Sequence, residues 1–248
     1  VKGDNMNSKT TITRVAGLVT GAILLFGLAA CTNSDAPAGS SEQGSTAGNA
    51  ESGLGAGGRA AAEAVQEDPE VAALVPEAIR TAGILNLVTD PTYAPIDFTD
   101  DAGNIIGLEP DFALATARKM GLESEISKAD FNGIIAGLES NRYDASWAAF
   151  SILPDRTAVV DMVSFMNAGT AVMTQKGNEE NIASEDDLCG LTIAVQTGTS
   201  QALEVLPRFE QNCKDKGLDD IDPLIVPQQD SANQAVSSGR AQAMLADN

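Results

Sequence analysis

A two-lobed α/β fold is the architecture this sequence predicts, and three observations predict it. From Ile79 onward, short apolar runs of strand length alternate with segments of helical spacing. The alternation lapses near Gly177 and resumes as a second series. Turn-rich punctuation closes each element. Two α/β units in tandem make two lobes with a cleft between them, the usual place for a small ligand.

The chain opens on what reads as an address. Lys9 and Arg14 are a basic start, and residues 15–30 are apolar but short for a membrane span. They end in Leu28-Ala29-Ala30-Cys31, which resembles the lipobox of a bacterial lipoprotein. That resemblance implies cleavage before Cys31 and acylation of its thiol. An ordinary signal peptide with a chance Cys, or an uncleaved anchor, is the alternative. Met6 is a plausible start codon. Residues 32–74 read as a flexible tether, because Gly, Ser, Ala, Asn and acids cannot bury enough surface to offset their ordering entropy. A short helix over 60–66 carries little weight, and the folded part is expected to begin near Val75. Lobe 1 is expected to span 75–170 and lobe 2, 171–248.

In lobe 1, residues 84–89 form an apolar strand, and Asp90-Pro91-Thr92-Tyr93-Ala94-Pro95 breaks it. Residues 101–104 read as a hairpin turn. Pro110, with Glu109 and Asp111 at the positive end, opens a helix that Gly121 closes. Residues 124–127 form a strand, and Phe131, Ile134, Ile135 and Leu138 follow helical spacing. A buried strand over 144–149 then runs into a turn carrying Ser151 and Arg156, and strands are expected over 159–165 and 171–175. In lobe 2, Ser184 is an N-cap. A strand over 191–195 leads into Gln196-Thr197-Gly198-Thr199-Ser200 and a helix over 201–209. Gly-Thr-Ser at a helix N-terminus is an anion site by backbone donors and dipole, but the Lys and Gly spacing of a P-loop are absent. A strand over 224–226, a helix capped by Asp230 and ended by Gly239, and a strand over 241–246 ending at Asp247 complete the series.

Composition excludes several functions. The 248 residues carry a formal net charge of −20 and no His. That sign argues against nucleic acid and anionic membrane surfaces as partners. Without His, a His-based triad or a His-ligated metal is impossible. Three cysteines, widely spaced, are too few for a zinc cluster, so no metal and no cofactor is expected. Cys189 and Cys213 lie outside the signal in an exported chain, where a disulfide is the default; two unrelated thiols are the alternative.

The Ser151–Arg156 turn carries the chemistry. A guanidinium is a planar fork of donors that fits a carboxylate bidentately, and a hydroxyl and free N–H groups beside it would complete a small carboxylate site. Asp155 and Asp161 are available as structural partners for the same Arg.

Val88-Thr89-Asp90-Pro91-Thr92-Tyr93-Ala94-Pro95, Gly107-Leu108-Glu109-Pro110-Asp111-Phe112, Asp130-Phe131-Asn132-Gly133-Ile134-Ile135, Ser151…Arg156, Gln196-Thr197-Gly198-Thr199 and Leu245-Ala246-Asp247 occur in one order. The ordered set, from about 75 to 248, resembles the family 3 extracellular solute-binding proteins of polar amino-acid ABC importers, which include the periplasmic glutamine- and histidine-binding proteins. The resemblance implies a type II periplasmic-binding-protein-like fold. It also implies a monomer that binds an amino-acid ligand, serves an ABC permease and is not an enzyme. The lipobox agrees, since Gram-positive bacteria tether such receptors by lipid, which implies the extracellular face of the cell membrane.

By the same resemblance, Arg156 clamps the ligand α-carboxylate, helped by Ser151 and by Thr199 with its backbone N–H. Asp247 receives the α-ammonium, Tyr93 and Phe131 sandwich the ligand body, Asp90 stands near the ligand side chain, and the Ala149 carbonyl takes an ammonium hydrogen bond. Each residue has a plainer role open to it. Phe131 suits a helix core, Thr199 an N-cap, Asp90 a turn before Pro91, Tyr93 a loop covering the core edge, and Asp247 a terminus where disorder is common. Ala149 with Phe150, Leu153, Leu108 and Ile96 depart from the family pattern, the first two where side-chain selectivity is set. The family's chain continues beyond the strand that ends at Asp247, so a C-terminally incomplete sequence is expected. A dehydratase or lyase acting on a small carboxylate, and the sensor domain of a receptor, are the competing functions on this fold.

Overall fold

The structure, a computed structural model, describes residues 56–248. The readings at the N-terminus, Cys31 included, lie outside those residues. The expected tether ends earlier than residue 74. Helix α1 (Ala56–Glu63) packs on a later helix, with Ala62 buried, and α2 (Pro69–Ala72) follows. Asp68 caps α2 by accepting from the N–H groups of Glu70 and Val71 and meets Lys119 at 3.2 Å. The Ala-rich composition that looked like tether also has high helix propensity, and α1 is the helix it forms.

Helix α3 (Glu77–Ala82) ends at Gly83, which has a φ of 73°, and β1 (Ile84–Thr89) follows. The strands β2 (Thr92–Tyr93), β3 (Asp97–Thr99) and β4 (Ile105–Ile106) form a small antiparallel sheet closed by the expected hairpin turn, where Asp100 accepts from Ala102 and Asn104. Helix α4 (Leu108–Lys119) starts two residues before Pro110, because Gly107 is its cap residue. β5 (Glu123–Lys128), α5 (Phe131–Glu139) and β6 (Ala145–Ser146) complete the first parallel sheet, in order β5-β1-β6. Leu85 and Leu87 pack with Ala113 and Ala117 of α4, while Val88 on the other face packs with Phe131 and Ile134 of α5. That is the two-faced burial of a parallel sheet.

Two expected strands of lobe 1 are corrected. The one over 144–149 is only β6, because Asp144 spends its side chain on the Asn86 N–H and Ala149 turns to a φ of 50°. The one over 159–165 is not a strand. After the short helix α6 (Pro154–Thr157), Val159 and Phe165 are exposed and Val163 is 88% exposed. β-Branched residues favour a strand only where a neighbour supplies the ladder, and this segment has none, although the Phe165 ring packs 5.7 Å from that of Phe112.

Lobe 2 is a four-stranded mixed sheet in the order β7-β10-β8-β9. β7 (Thr170–Thr174) is followed by a 3-10 turn (Glu185–Leu188) that Ser184 opens with a capping box to Asp187. β8 (Thr192–Gln196) leads to a π turn (Gln201–Val205) and α7 (Leu206–Lys216), which runs to Gly217, well past the expected end at Phe209. β9 (Asp222–Val226), α8 (Gln229–Ser237) and β10 (Ala243–Asp247) follow. Gln228, not Asp230, precedes α8, and its side chain makes no cap. Ile193, Val195, Ala243 and Leu245 pack against Leu206, Phe209 and Cys213 of α7, three positions on one helical face. Ala194 and Met244 on the opposite face pack against Ala232, Ala235 and Val236 of α8. Cys189 and Cys213 form the expected disulfide, 24 residues apart.

Candidate functional site

Strand ends build the site. β1 stops at Thr89, so Asp90 sits at its carboxyl end. β8 stops at Gln196 and β10 at Asp247. Ligands of open α/β sheets bind outside such ends. Across them lies a narrow cavity with only about 30 Å³ of enclosed free space. Asp90, Tyr93, Phe131, Ala149, Ser151, Arg156, Thr199 and Asp247 all line it. The structure thus brings together every residue singled out in the sequence for one site.

Arg156 is 7% exposed and makes no ion pair among the described residues. The structural pairing with Asp155 or Asp161 therefore does not occur. Two backbone carbonyls aim it instead: Nη1 donates to Ser151 at 2.7 Å and Nη2 to Gly198 at 2.7 Å. Its guanidinium carbon lies 4.8 Å from the Phe150 ring centre and 5.7 Å from that of Phe131. Those two rings stack at 4.3 Å. Burial lowers the guanidinium's pKa from its ordinary value, yet the group stays far too basic to lose its charge at neutral pH. A buried cation held by neutral groups still has charge to offer a carboxylate.

Lobe 2 supplies donors beside it. Gly198 has a φ of 77°, and a Cβ there would stand 2.6 Å from Asn132 Oδ1, so only glycine lets the turn approach α5. The N–H groups of Thr199 and Ser200 have no protein acceptor among the described residues. The Thr199 hydroxyl is already committed, donating to the Gln196 carbonyl at 2.7 Å and accepting from Ala202 at 3.2 Å. Ser151 and Ser200 share a hydroxyl contact of 2.8 Å between lobes.

The acids stand opposite. Asp90 accepts from the Phe131 N–H at 3.1 Å and from Gln196 Nε2 at 2.8 Å. Asp247 accepts from Gln201 Nε2 at 2.7 Å, and its own N–H donates to the Tyr93 hydroxyl at 3.2 Å. Burial raises the pKa of both carboxyls above the ordinary carboxylate range. Burial also raises the Tyr93 phenol, with the Asp247 charge adding to it. Phe131 fills both roles considered for it, lying in the core cluster and lining the cavity.

Polar residues that the sequence reading missed also line the cavity: Asp97, Gln196, Ser200, Gln201 and Gln229. Asp97 is 1% exposed, receives the Thr89 hydroxyl, and is pushed by burial up to about 8. Glu109, read from the sequence as a helix-dipole partner, is 0% exposed and accepts the Ala149 N–H. Gln196 and Gln201 flank the Thr-Gly-Thr-Ser turn, and that position was the signal for them.

Residues 85–244 match the family of bacterial extracellular solute-binding proteins, family 3. The arginine-binding protein of Corynebacterium glutamicum is 34% identical over 180 residues, which are 72% of this chain and 59% of that protein. The L-cystine-binding protein of Escherichia coli K12 is 30% identical over 49% of this chain and 46% of its own length. The chain thus spans between about half and three-fifths of these relatives. Among solved structures, an ancestral amino acid-binding protein described as a precursor of cyclohexadienyl dehydratase is 30% identical, with a TM-score of 0.63 over 69% of this chain and 73% of that one. The holo arginine-binding protein of T. maritima is 28% identical, with a TM-score of 0.61 over 70% and 73%. With this fold, this ordered set of residues and these relatives, the chain belongs to the bacterial extracellular solute-binding proteins, family 3.

Proposed function

We propose that the chain captures a polar amino acid between its lobes and delivers it to an ABC permease, held on the outer face of the cell membrane by a lipid at Cys31. One observation carries the binding reading: a buried Arg156 with no acidic partner among the described residues, facing Asp247 and Asp90 across one cavity. An amino acid is a zwitterion, so its site needs a fixed cation and a fixed anion a few ångströms apart. Arg156 takes the α-carboxylate with Ser151 and the free N–H groups of the Gly198 turn, and Asp247 takes the α-ammonium. Tyr93 and Phe131 flank the ligand body, and the Ala149 carbonyl takes an ammonium hydrogen bond. Asp90 remains for the side chain, and with Asp247 it sets two acids in the lining against its one Arg. That surplus supports a ligand with a cationic side chain, as do the arginine-binding relatives. Ligand then closes the lobes by bridging them.

A second reading, a dehydratase or lyase acting on a small carboxylate, is favoured by Asp97, a carboxyl in the lining that keeps its proton near neutrality. The ancestral precursor of a dehydratase among the structural relatives adds to it. A thermal-shift screen against amino acids and small carboxylates, with turnover followed by NMR, separates the two. A rise in melting temperature with one polar amino acid and no turnover supports the receptor. Consumption of a carboxylate supports the enzyme.

A further inference from the structure

We propose that Glu109 is a positioning residue that holds the Ala149–Arg156 turn in its binding conformation through the Ala149 amide. The proposal rests on reading the cavity as an amino-acid site. Ala149 is one of four non-glycine residues with positive φ among those described, at 50°, and alone of the four it lines the cavity. A residue with a Cβ adopts that region at a cost, so something must hold it there. Both carboxylate oxygens of Glu109 stand on its N–H, at 2.9 and 3.0 Å.

Glu109 is itself fixed from behind. Its own N–H donates to the Ile96 carbonyl at 3.0 Å. Gly107, two residues earlier, has a φ of 132°, and a Cβ there would stand 2.3 Å from the same carbonyl. No cation pairs with Glu109 among the described residues. The titratable groups that bear on it are Asp97 of β3, Asp247 of β10 and Tyr93 of β2, none of them cationic. A carboxylate buried completely with one amide as partner is an expensive arrangement unless that amide must be placed.

The consequence passes down the turn. Two residues on, the Ser151 carbonyl receives Arg156 Nη1 and the Ser151 hydroxyl meets Ser200. Rotating the Ala149 peptide therefore displaces one of the two carbonyls that aim the guanidinium. Glu109 sets the direction of Arg156 without facing the ligand itself.

The test uses the full chain with Glu109→Ala, Glu109→Gln and the pair Glu109→Ala with Ala149→Gly. Calorimetry with arginine reads the affinity, and amide NMR reads the Ala149 N–H as pH is varied. Glu109→Ala weakens binding by roughly tenfold to a hundredfold, the loss of a charged hydrogen bond. Glu109→Gln, which keeps an acceptor oxygen, weakens it much less. Adding Ala149→Gly recovers part of the loss, because glycine needs no help at positive φ. Burial pushes Glu109 up to about 7, so the Ala149 amide shift of the unsubstituted chain moves with a midpoint near that pH, and the step vanishes in Glu109→Gln. Unchanged affinity in a folded Glu109→Ala chain, or no recovery by Ala149→Gly, overturns the proposal. If Glu109→Ala does not fold, the Glu109→Gln amide titration decides: a step that persists overturns it. If the unsubstituted chain binds no amino acid, the site reading fails on its own, and the same titration still decides the Glu109 contact.

Discussion

The two lobes bury different kinds of polar group. Lobe 1 buries ionisable groups: Asp90, Asp97, Glu109 and Arg156. Lobe 2 buries neutral amides: Gln196, Gln201 and Gln229. Lobe 1 has the thinner frame, a three-stranded sheet with a small hairpin sheet beside it. Lobe 2 has four strands, helices on both faces and a disulfide. Desolvation strain therefore collects in the lobe with less to offset it, and the sturdier lobe answers with groups that can donate or accept. Gln196 reaches across to Asp90, and Gln201 steadies Asp247. A carboxamide can satisfy a carboxylate without neutralising it, which leaves the charge available to a ligand.

Removing Arg156, the one buried cation among the described residues, breaks this contrast most severely. Arg156→Ala should reduce amino-acid affinity a hundredfold or more, on the order of 3 kcal/mol, with the circular dichroism spectrum unchanged. Calorimetry on the folded variant checks it.

Lobe 2's sturdiness is tested next. Replacing Cys189 and Cys213 by Ala opens a 24-residue loop. The expected loss is roughly 3 kcal/mol, seen as a lower urea midpoint, with lobe 2 amides exchanging before those of lobe 1.

The acids of lobe 1 set a pH dependence whose sign follows from their raised pKa values. Asp97 at about 8 and Glu109 at about 7 hold protons in the folded chain that the unfolded chain has released above pH ~4. Stability without ligand should therefore fall as pH rises from about 4 to about 8, then level. Asp97→Asn should remove much of that slope and stabilise the chain at pH 8 by on the order of 2 kcal/mol. Thermal melts across the range read it, and a slope unchanged by the substitution would contradict the account.

The smallest effect belongs to the surface. Lys216 and Asp186 meet at 2.6 Å, yet both are about half exposed. Lys216→Ala should shift stability by no more than ~0.5 kcal/mol, measured in the same urea titration.

Much of this was legible in the sequence because it is local. Apolar runs bounded by Gly and Pro marked β1, β8 and β10, with Asp90, Thr199 and Asp247 at or just past their ends, while the roles of the eight site residues came from the ordered motifs shared with the family. Less local features were not legible. The segment 159–165 has strand composition but no partner strand, and pairing is decided by distant residues. Glu109 sits in the first turn of α4, where an acid is ordinary. Only the close approach of Gly107 to Ile96 turns it inward to Ala149. Ala149 reveals nothing by composition, since its positive φ depends on that same carboxylate. Asp97 precedes Phe98 in the short central strand of the hairpin sheet, and its burial comes from packing, not from the pattern around it.

The central claim is that the cavity takes an α-amino acid by its carboxylate at Arg156. The most direct measurement is calorimetry of the unsubstituted chain with arginine and with agmatine, which differs from arginine only in lacking the carboxylate. The account predicts binding of arginine and at least a hundredfold weaker binding of agmatine, since a guanidinium left without its anion loses a charged hydrogen bond pair. Equal affinity for the two would contradict it, because Arg156 would then have no part in holding the ligand.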